Sequence, residues 1–378
     1  KYCNPGTKLP MEKKEHGASL QLVQVLTRHG DRSPVHGCKW TGNQHFKCDS
    51  SSYLGFGTTE LEQPLYKKQY ISGCERGQLT GRGFQQHVTN GKEVRRYYTE
   101  VLGFLPEKWE IPDSVYLRST DYMRTILSAE AFINGVFGTE TSFRRTVLTM
   151  NKERDVLYPN PRRCPLLQHN YEAFEESALN KDHHEKVTKP LRVDIAKALG
   201  IEEEEVQGME VYADCAYCYL CHNMDIPTAI DQHLFDRISE EFLWRYRTRG
   251  GYPSPIENGR LGIGEILKIW IDNVNTKIAD ANSPLQLSVM AAHDTTLLPL
   301  LEAFQVLEEW PGYAATVILE LWETEGTHAI RLRVNGESVL IPGCDKELCS
   351  FNLFMDKVAK QFLPIEGECF RSPQSKNK

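Results

Sequence analysis

The chain has 378 residues, 40% of them hydrophobic and 25% charged, an ordinary composition for a globular protein of two or three domains, or of one large domain with an insert. Its formal net charge of −7 and its isoelectric point near 6.0 argue against a protein that binds nucleic acid or anionic membranes through a basic face. No apolar run approaches the roughly 20 residues that a membrane-spanning helix needs, so we predict no span within this chain.

The first predicted element is a strand at residues 21–27, which leads directly into the segment RHGDRSP. This segment places Arg28, His29 and Arg32 at the end of the strand. Desolvating a single charge costs several kcal/mol unless another group compensates it, so ionisable residues at this position need a functional reason. Two arginines that flank one histidine indicate a binding site for a doubly charged anion.

A helix and a second strand are predicted next. Residues 79–101 carry apolar side chains at roughly helical spacing, and SVYLRST at residues 114–120 is a short strand that contains Arg118 near its end. Ser119 or Thr120 can cap the helix that follows. The order strand, helix, strand, helix is typical of a parallel α/β core.

The middle of the chain differs in character. From about residue 158 to residue 250 the sequence is polar, charged and helical in pattern, and we interpret it as an inserted helical cap. The segment 246–262 is rich in glycine and proline and is predicted to be a loop that returns the chain to the core. The predicted division is therefore a core of residues 1–157 and 251–378 with a cap of residues 158–250.

The last third of the chain returns to strands. LQLSVMAAHD at residues 285–294 is an apolar strand that ends in His293 and Asp294. Asn335 and Gly336 form a hairpin signal, which predicts an antiparallel pair at the edge of the sheet. The predicted fold is α/β, with a mostly parallel central sheet flanked by helices and an inserted helical cap.

Three predicted strands thus end in arginine, histidine or aspartate. Ligands of open α/β sheets bind at the carboxyl ends of strands, so we expect these residues to meet in one site. Guanidinium groups match phosphate oxygens bidentately, and a neutral imidazole can accept a phosphoryl group covalently. We therefore predict phosphoryl transfer, with His29 or His293 as the nucleophile and Asp294 as the general acid, which implies an acidic pH optimum. This chemistry needs no metal or other cofactor.

The segments RHGDRSP, VYLRSTDYMRT and AAHDTT resemble the signature segments of the histidine acid phosphatase family. GQLTGRGFQQH, CHNMDIP and LIPGC also resemble family segments, so the resemblance covers most of the chain. It implies an acid phosphatase that acts on a phosphomonoester and has an α/β core with a helical cap. Matched to the family pattern, His29 is the phosphorylated nucleophile and Asp294 the proton donor. The implied phosphate ligands are Arg28, Arg32, Arg118 and His293.

Within the family, the opening KYCN and the spacing in CYLCHN are most similar to the 2-phosphoxylose phosphatase subgroup. That similarity implies removal of phosphate from the xylose of the glycosaminoglycan linkage region in the Golgi. The segment RSTDYMRT is closer to the general acid phosphatase pattern, so a secreted or lysosomal acid phosphatase of broad specificity stays open. Further alternatives are a non-catalytic receptor for phosphorylated glycans, and a phytase-like or phosphoglycerate-mutase-like activity.

Eleven cysteines are many for a cytosolic enzyme and indicate an oxidising compartment. We expect the lumen of the secretory pathway, with a Golgi, lysosomal or secreted destination. Cys344 and Cys349 close a tight loop and are expected to pair, and Cys38 and Cys48 bracket a polar loop. The odd count leaves at least one thiol unpaired or paired between chains.

The family resemblance also implies a disulfide between Cys164 and Cys369, which would fix the tail of the chain. At the other end, the sequence starts at Lys1 instead of methionine. Such a start is typical of a chain from which an upstream signal or anchor has been removed.

Several other motifs receive structural interpretations. CYLCH at residues 218–222 matches the attachment motif of c-type haem, but no adjacent segment supplies an apolar slot, and we interpret its cysteines as disulfide-bonded. His222 is expected in a cap loop near the mouth of the cleft, and Arg124 is expected to be structural. His183 and His184 are adjacent on a helix and point to different sides, so they are not expected to share a metal. The oligomeric state stays open.

Overall fold

The computed structural model describes residues 2–11, 17–37, 46, 48, 57–60, 74–140, 143 and 145–372. Within this part of the chain, one mixed sheet of nine strands is covered by helices on both faces. The strands are β1 (Ala18–Arg28), β2 (Gly57–Glu60), β3 (Val115–Ser119), β4 (Thr146–Thr149), β5 (Leu287–Ala292), β6 (Thr316–Thr324), β7 (Thr327–Val334), β8 (Glu337–Val339) and β9 (Leu348–Ser350). The helices are α1 (Gly81–Arg95), α2 (Met123–Phe137), α3 (Pro165–Glu175), α4 (Ala178–His183), α5 (Lys189–Leu199), α6 (Met209–Cys221), α7 (Gln232–Gly250), α8 (Pro255–Ala279), α9 (Asp294–Ala303) and α10 (Phe351–Phe354). None of these helices has the length and apolarity that crossing a membrane requires.

The strands follow the order β2-β4-β3-β5-β1-β6-β7-β8, and β9 pairs with β7. On one side of β1, the strands β5, β3, β4 and β2 run parallel to it. On the other side, β6 and the strands beyond it are joined by antiparallel pairs. The predicted α/β fold is confirmed, and its parallel arrangement is confined to the half of the sheet between β2 and β1.

β1 lies in the centre of the sheet because its side chains are apolar on both faces. Leu22 and Leu26 pack in the layer that contains α8 and α9, whereas Val23 and Val25 pack in the layer that contains α1 and α2. A strand covered on both faces has a continuous apolar run instead of an alternating pattern. The run ends at Arg28, where the strand reaches the carboxyl edge of the sheet.

The predicted hairpin forms between β7 and β8, with Val334 paired to Glu337. Its two central residues have positive φ angles, +51° at Asn335 and +88° at Gly336, as the tight turn of a two-residue hairpin requires. A Cβ atom at Gly336 would lie 2.4 Å from the carbonyl oxygen of Lys8, so this position needs glycine for its space as well as its backbone angle.

Helices α3 to α7 all lie within residues 158–250, the range predicted for the cap, and these residues are called the helical segment below. α5, α6 and α7 bury an apolar cluster of their own. The predicted loop at residues 246–262 is wrong, because α7 continues to Gly250 and α8 starts at Pro255. Proline is tolerated at the start of a helix because the N–H that it lacks would have no partner there. Glycine and proline therefore mark only the short connection at residues 251–254.

Disulfides tie both ends of the chain to the helical segment. The pairs in which both cysteines are described are Cys3–Cys221, Cys48–Cys74, Cys164–Cys369 and Cys344–Cys349. Two of them, Cys164–Cys369 and Cys344–Cys349, are the pairs expected above. Cys215 is also disulfide-bonded, and Cys38 lies outside the described residues. The interpretation of the CYLCH cysteines as disulfide-bonded holds for Cys221 and is wrong for Cys218, which is a buried free thiol.

Candidate active site

The carboxyl ends of β1, β3 and β5 meet at one edge of the sheet. The backbone N–H of His29 donates to the carbonyl of Ala292, and the N–H of Thr120 donates to that of Ala291. The segments that follow these strands are therefore neighbours, which is the arrangement of ligand sites in open α/β sheets. A cavity of about 280 Å³ lies beside them. Its lining includes His29, Arg32, Arg124, His293 and Asp294.

His29 is buried at the end of β1 and presents one free ring nitrogen. Its Nδ1 lies 2.8 Å from the carbonyl oxygen of Gly30. A carbonyl oxygen can only accept, so Nδ1 carries the proton and Nε2 keeps its lone pair. Burial, followed by the positive charge of Arg124, holds the pKa of His29 well below its usual range. The imidazole is therefore neutral, which is the protonation state of a nucleophile.

The loop after His29 is held by a close approach between two glycines. A Cβ atom at Gly30 would lie 2.3 Å from the carbonyl oxygen of Gly83 in α1, so no larger residue fits there. The adjacent Asp31 is fully buried and does not face the cavity. Its Oδ1 accepts a hydrogen bond from the Thr80 hydroxyl at 2.6 Å and lies 2.5 Å from Nε2 of His222. Asp31 thus fixes the loop to α1 and to the end of α6.

Two arginines bring positive charge to the cavity. Arg32 forms a 2.7 Å ion pair with Asp214 of α6, and although burial opposes its charge, Asp214 raises the pKa of Arg32. Arg124 lies in the first turn of α2, where its guanidinium stacks 4.5 Å from the ring centre of Tyr122. Burial, followed by Arg32, lowers the pKa of Arg124 to about 10, so it stays protonated at neutral pH. No carboxylate of the described chain pairs with it, which leaves its charge available to an anion.

The structure does not bring Arg118 into the cavity. Its guanidinium forms a 3.1 Å ion pair with Asp155, and both side chains are buried away from the site. Arg118, predicted as a phosphate ligand, therefore lies outside the cavity, whereas Arg124, predicted to be structural, lines it. The physical reason is the geometry of the strand end: Arg118 is still part of β3, whereas Arg124 begins the helix that starts beside the carboxyl edge of the sheet.

Arg28 is placed behind the cavity instead of in its lining. Its Nη2 lies 2.7 Å from Oδ2 of Asp294, and its Nη1 donates to the carbonyl of Pro311 at 2.7 Å. The guanidinium also lies 4.5 Å from the ring centre of Tyr313. Arg28, expected to bind phosphate, therefore lies outside the cavity lining, and two of its donors contact Asp294 and the carbonyl of Pro311.

Asp294 begins α9 and faces the cavity. Its Oδ2 also accepts a hydrogen bond from Nε1 of Trp310 at 3.2 Å. Burial alone would raise its pKa, but Arg28, Arg32 and His293 outweigh burial, and the pKa of Asp294 is lowered. Its carboxyl group is therefore ionised in the unliganded site at neutral pH.

His293 precedes Asp294 and completes the floor of the site. Its Nδ1 lies 3.4 Å from Nη2 of Arg124, a donor, and its Nε2 lies 3.0 Å from the hydroxyl of Thr120. Burial, followed by Arg124, holds the pKa of His293 well below its usual range. A neutral His293 therefore accepts from Arg124 at Nδ1 and donates from Nε2.

The cavity walls are aromatic, with carboxylates on the side of α6. The aromatic lining residues are Tyr2, Tyr122, Tyr158, Tyr217, Phe242, Tyr246 and Trp310. Glu210 and Asp214, both on α6, supply the carboxylates. The part of the cavity next to the strand ends is therefore positively charged, whereas the part next to the helical segment is apolar or negatively charged.

The other histidines singled out in the sequence have structural partners. His222 binds Asp31 and does not line the cavity. His183 lies 2.5 Å from Glu241 and stacks on Trp244 with ring centres 3.3 Å apart. Across the described ranges, no group of three or more His, Cys, Asp or Glu side chains is arranged to hold a metal ion.

Sequence reasoning missed Arg124, Asp214 and Trp310 as members of the site. A usable signal existed for Arg124, because a cation in the first turn of a helix that follows a site-forming strand lies close to the strand end. Asp214 and Trp310 come from distant segments, and no local pattern connects them to the strand ends. Their roles follow only from the way the helical segment packs on the core.

Comparisons with known proteins identify the family and the fold. A family model described as histidine phosphatase superfamily (branch 2) matches residues 19–335. Counting factor 60 of Dictyostelium discoideum is 27% identical, with 96% of this chain and 91% of the relative covered. Human lysophosphatidic acid phosphatase type 6 is 26% identical (92% and 84% covered), and 2-phosphoxylose phosphatase 1 of Xenopus tropicalis is 25% identical (89% and 72% covered). The apo structure of Hafnia alvei phytase shares the fold, with a TM-score of 0.64, 14% identity and coverage of 96% of this chain and 100% of that one.

Proposed function

The chain belongs to branch 2 of the histidine phosphatase superfamily and is a phosphatase, and from this premise we propose that it hydrolyses phosphate monoesters through a covalent phosphohistidine at His29. The observation that carries the proposal is the fixed tautomer of His29. Its Nδ1–H is held by the Gly30 carbonyl, so the lone pair of Nε2 is available to phosphorus. Its neutral state does not require any external base.

The proposed reaction has two steps. Nε2 of His29 attacks phosphorus, the bond from phosphorus to the ester oxygen breaks, and that oxygen leaves with the electron pair and takes a proton from Asp294. Water then attacks the phosphohistidine, Asp294 takes the proton from that water, and the nitrogen–phosphorus bond breaks to release phosphate. Arg32 and Arg124, which both line the cavity, are the proposed ligands of the phosphoryl oxygens. His293, predicted above as a further ligand, directs its one N–H at Thr120 and accepts from Arg124, so we propose that it positions Arg124 instead.

The role of Arg28 in this proposal is to position Asp294. The 2.7 Å ion pair holds the carboxylate at the wall of the cavity and lowers its pKa, which opposes its protonation. A phosphate dianion bound to Arg32 and Arg124 offsets these positive charges and raises the pKa of Asp294 toward its function as an acid. Activity therefore depends on acid pH or on a substrate that brings its own proton, and we expect an acidic optimum.

The charge of the cavity favours a substrate with one phosphate group. On the α6 side Glu210 places a carboxylate and Asp214 is paired with Arg32, so this wall offers no free cation to the further phosphates of a polyphosphorylated ring. We therefore propose a monoesterase, although the fold is shared with a phytase. The aromatic walls suit a sugar or an aryl group. The specific candidate is the 2-phosphoxylose of the glycosaminoglycan linkage region, supported by the similarity to 2-phosphoxylose phosphatase 1.

A test of the mechanism uses rapid quenching with ³²P-labelled glycerol 2-phosphate at pH 5. We expect label on the wild-type protein that is acid-labile and alkali-stable, and none on His29→Ala. Label in an ordinary serine ester would overturn the assignment of His29. Tight binding of the phosphate ester without any phosphate release would instead support the alternative of a non-catalytic receptor for phosphorylated glycans.

The substrate is tested separately with a panel. A glycan that carries xylose 2-phosphate is compared with simple phosphomonoesters by their values of kcat/KM. A preference of about tenfold or more for the glycan supports the xylose assignment. Equal values support a broad-specificity acid phosphatase of the secreted or lysosomal kind. In both cases the disulfides support an oxidising compartment, which we infer to be the lumen of the secretory pathway.

A further inference from the structure

A second cavity, of about 410 Å³, adjoins the candidate active site. Tyr246 and Thr295 line both cavities, and Thr295 directly follows Asp294 in the chain. In the mechanism proposed above, the ester oxygen departs on the side of Asp294, opposite the attacking nitrogen of His29. The remainder of the substrate is therefore directed toward the second cavity.

The second cavity has the lining of a site for a polar ring or chain. It is formed where α3 and α7 of the helical segment meet α8 and α9. Tyr171 and Tyr246 supply aromatic surfaces, Leu298 supplies apolar contact, and Gln168 supplies a polar side chain. A few polar groups among aromatic and apolar surfaces are typical of small-molecule sites.

Arg249 is the unusual member of this lining. Its guanidinium lies 4.7 Å from the ring centre of Tyr171 and 5.5 Å from that of Tyr246, so the two rings fix its position. Two other arginines of α7 are neutralised: Arg245 by Glu175 at 2.9 Å and Arg247 by Glu302 at 2.6 Å. Arg249 has no such ion pair within the described chain.

The remaining carboxylate of the cavity does not neutralise Arg249 either. Glu172 is exposed and accepts a hydrogen bond from Gln168 at 2.7 Å. Burial, followed by the charge of Asp294, raises the pKa of Tyr246 to about 12, so this tyrosine stays a neutral hydroxyl between the two cavities. Arg249 thus supplies the cavity with one guanidinium that has no ion pair, while Glu172, the lining carboxylate without a cationic partner, is exposed to solvent.

We propose that this second cavity is the leaving-group subsite, and that Arg249 selects phosphate esters whose polyhydroxylated leaving group carries a carboxylate. The inference rests on the proposed phosphomonoesterase function, and it names the substrate class of that same site. Guanidinium and carboxylate groups form a charge-assisted, bidentate contact, which gives both affinity and geometric selection. The hydroxyl groups of such a leaving group would meet Gln168 and the tyrosine hydroxyls.

A matched pair of substrates tests the proposal. 6-Phosphogluconate and sorbitol 6-phosphate share a six-carbon chain with phosphate on O6, and they differ in whether the far end is a carboxylate or a hydroxymethyl group. At pH 5.5 we expect wild-type protein to have a severalfold higher kcat/KM for 6-phosphogluconate. Arg249→Gln should lower the ratio of the two kcat/KM values by about tenfold, the effect of losing one charged contact, and Arg249→Lys should restore part of it.

The control is Arg237→Gln, because Arg237 lies on the same helix but pairs with Asp194 outside the cavity. It should keep the wild-type ratio. Since both substrates report on the same folded fraction of protein, a poorly folded variant still gives a valid ratio. An unchanged ratio in Arg249→Gln, or no wild-type preference, overturns the subsite while p-nitrophenyl phosphate hydrolysis still supports the phosphatase. Failure to release phosphate from every substrate overturns the proposed function itself.

Discussion

The guanidinium of Arg28 lies 2.7 Å from the carboxylate of Asp294, and this pair connects the end of β1 to the first residue of α9. In the proposed mechanism, the arginine at the start of RHGDRSP therefore acts on the general acid Asp294. It also couples the protonation of Asp294 to an arginine that is fully buried. If Asp294 is the general acid as proposed, this pair is expected to influence the pH dependence of the reaction.

Replacing Arg28 should move the pH profile. Arg28 stabilises the ionised form of Asp294 and lowers its pKa, so Arg28→Gln should raise that pKa. Because the acid must hold its proton, the basic limb of the profile for kcat should shift upward by about one pH unit. The measurement is kcat against pH with glycerol 2-phosphate. A basic limb at the wild-type position would remove Arg28 from the control of Asp294.

Replacing Asp294 should separate good from poor leaving groups. An alkoxide needs protonation as it departs, whereas p-nitrophenolate barely does. Asp294→Asn should therefore lower kcat for glycerol 2-phosphate by about 10²–10⁴-fold and for p-nitrophenyl phosphate by less than about tenfold. Steady-state kinetics on the two substrates measures the difference. Equal losses would show that Asp294 is not the general acid.

Arg124 and Arg118 should give opposite phenotypes. Arg124→Gln removes an unpaired cation from the cavity, so the Ki of inorganic phosphate should rise roughly 10–100-fold with little change in stability. Arg118→Gln leaves Asp155 buried without its partner, so the free energy of unfolding should fall by about 3 kcal/mol with little change in Ki. Urea unfolding and competitive inhibition measure the two effects. The reverse pattern would restore Arg118 as the phosphate ligand.

His87 should make the fold sensitive to acid. It is fully buried in α1, and burial lowers its pKa from 6.5 to about 3. In the unfolded chain His87 is protonated below about pH 6.5, whereas in the folded chain it stays neutral down to about pH 3. Because the unfolded state binds the additional proton, the free energy of unfolding decreases as the pH falls through this range. At pH 5 the loss from this residue is about 2 kcal/mol.

His87→Leu is expected to remove that contribution. The free energy of unfolding should differ less between pH 7 and pH 5 than in the wild type, by about 2 kcal/mol. Taking the difference between two pH values cancels the cost of changing the shape of the side chain. His169→Gln, at an exposed position on α3, is the matched control and should keep the wild-type pH difference. An unaltered difference in His87→Leu would contradict a neutral His87 in the folded state.

Local patterns in the sequence were sufficient for the elements that form the floor of the site. The apolar run before Arg28 and the one before His293 are both central strands, and Asn335-Gly336 is the turn of a hairpin. These features depend on burial and turn geometry, which neighbouring residues determine. The strand-end argument correctly joined His29, His293 and Asp294 around one cavity.

The same patterns could not predict the ion-pair partner of an arginine when that partner lies far away in the sequence. Arg118 and Arg124 are six positions apart in the sequence, and Arg118 lies away from the cavity because it pairs with the buried carboxylate of Asp155. Arg28 likewise meets Asp294 across more than two hundred residues of sequence. Charge pairing over such separations follows from packing, and no local period encodes it.

Two disulfides near the ends of the described chain bear on how a substrate can reach the candidate active site. Cys3–Cys221 spans 218 residues and Cys164–Cys369 spans 205, and each fastens one end of the polypeptide to the helices above the sheet. A large rigid-body movement of those helices would require either breaking these two disulfides or moving the segments around Cys3 and Cys369 with the helices. We therefore expect the opening of the cavity to keep a nearly constant width, so that substrates are selected by size against lining side chains such as Trp310 and Tyr246.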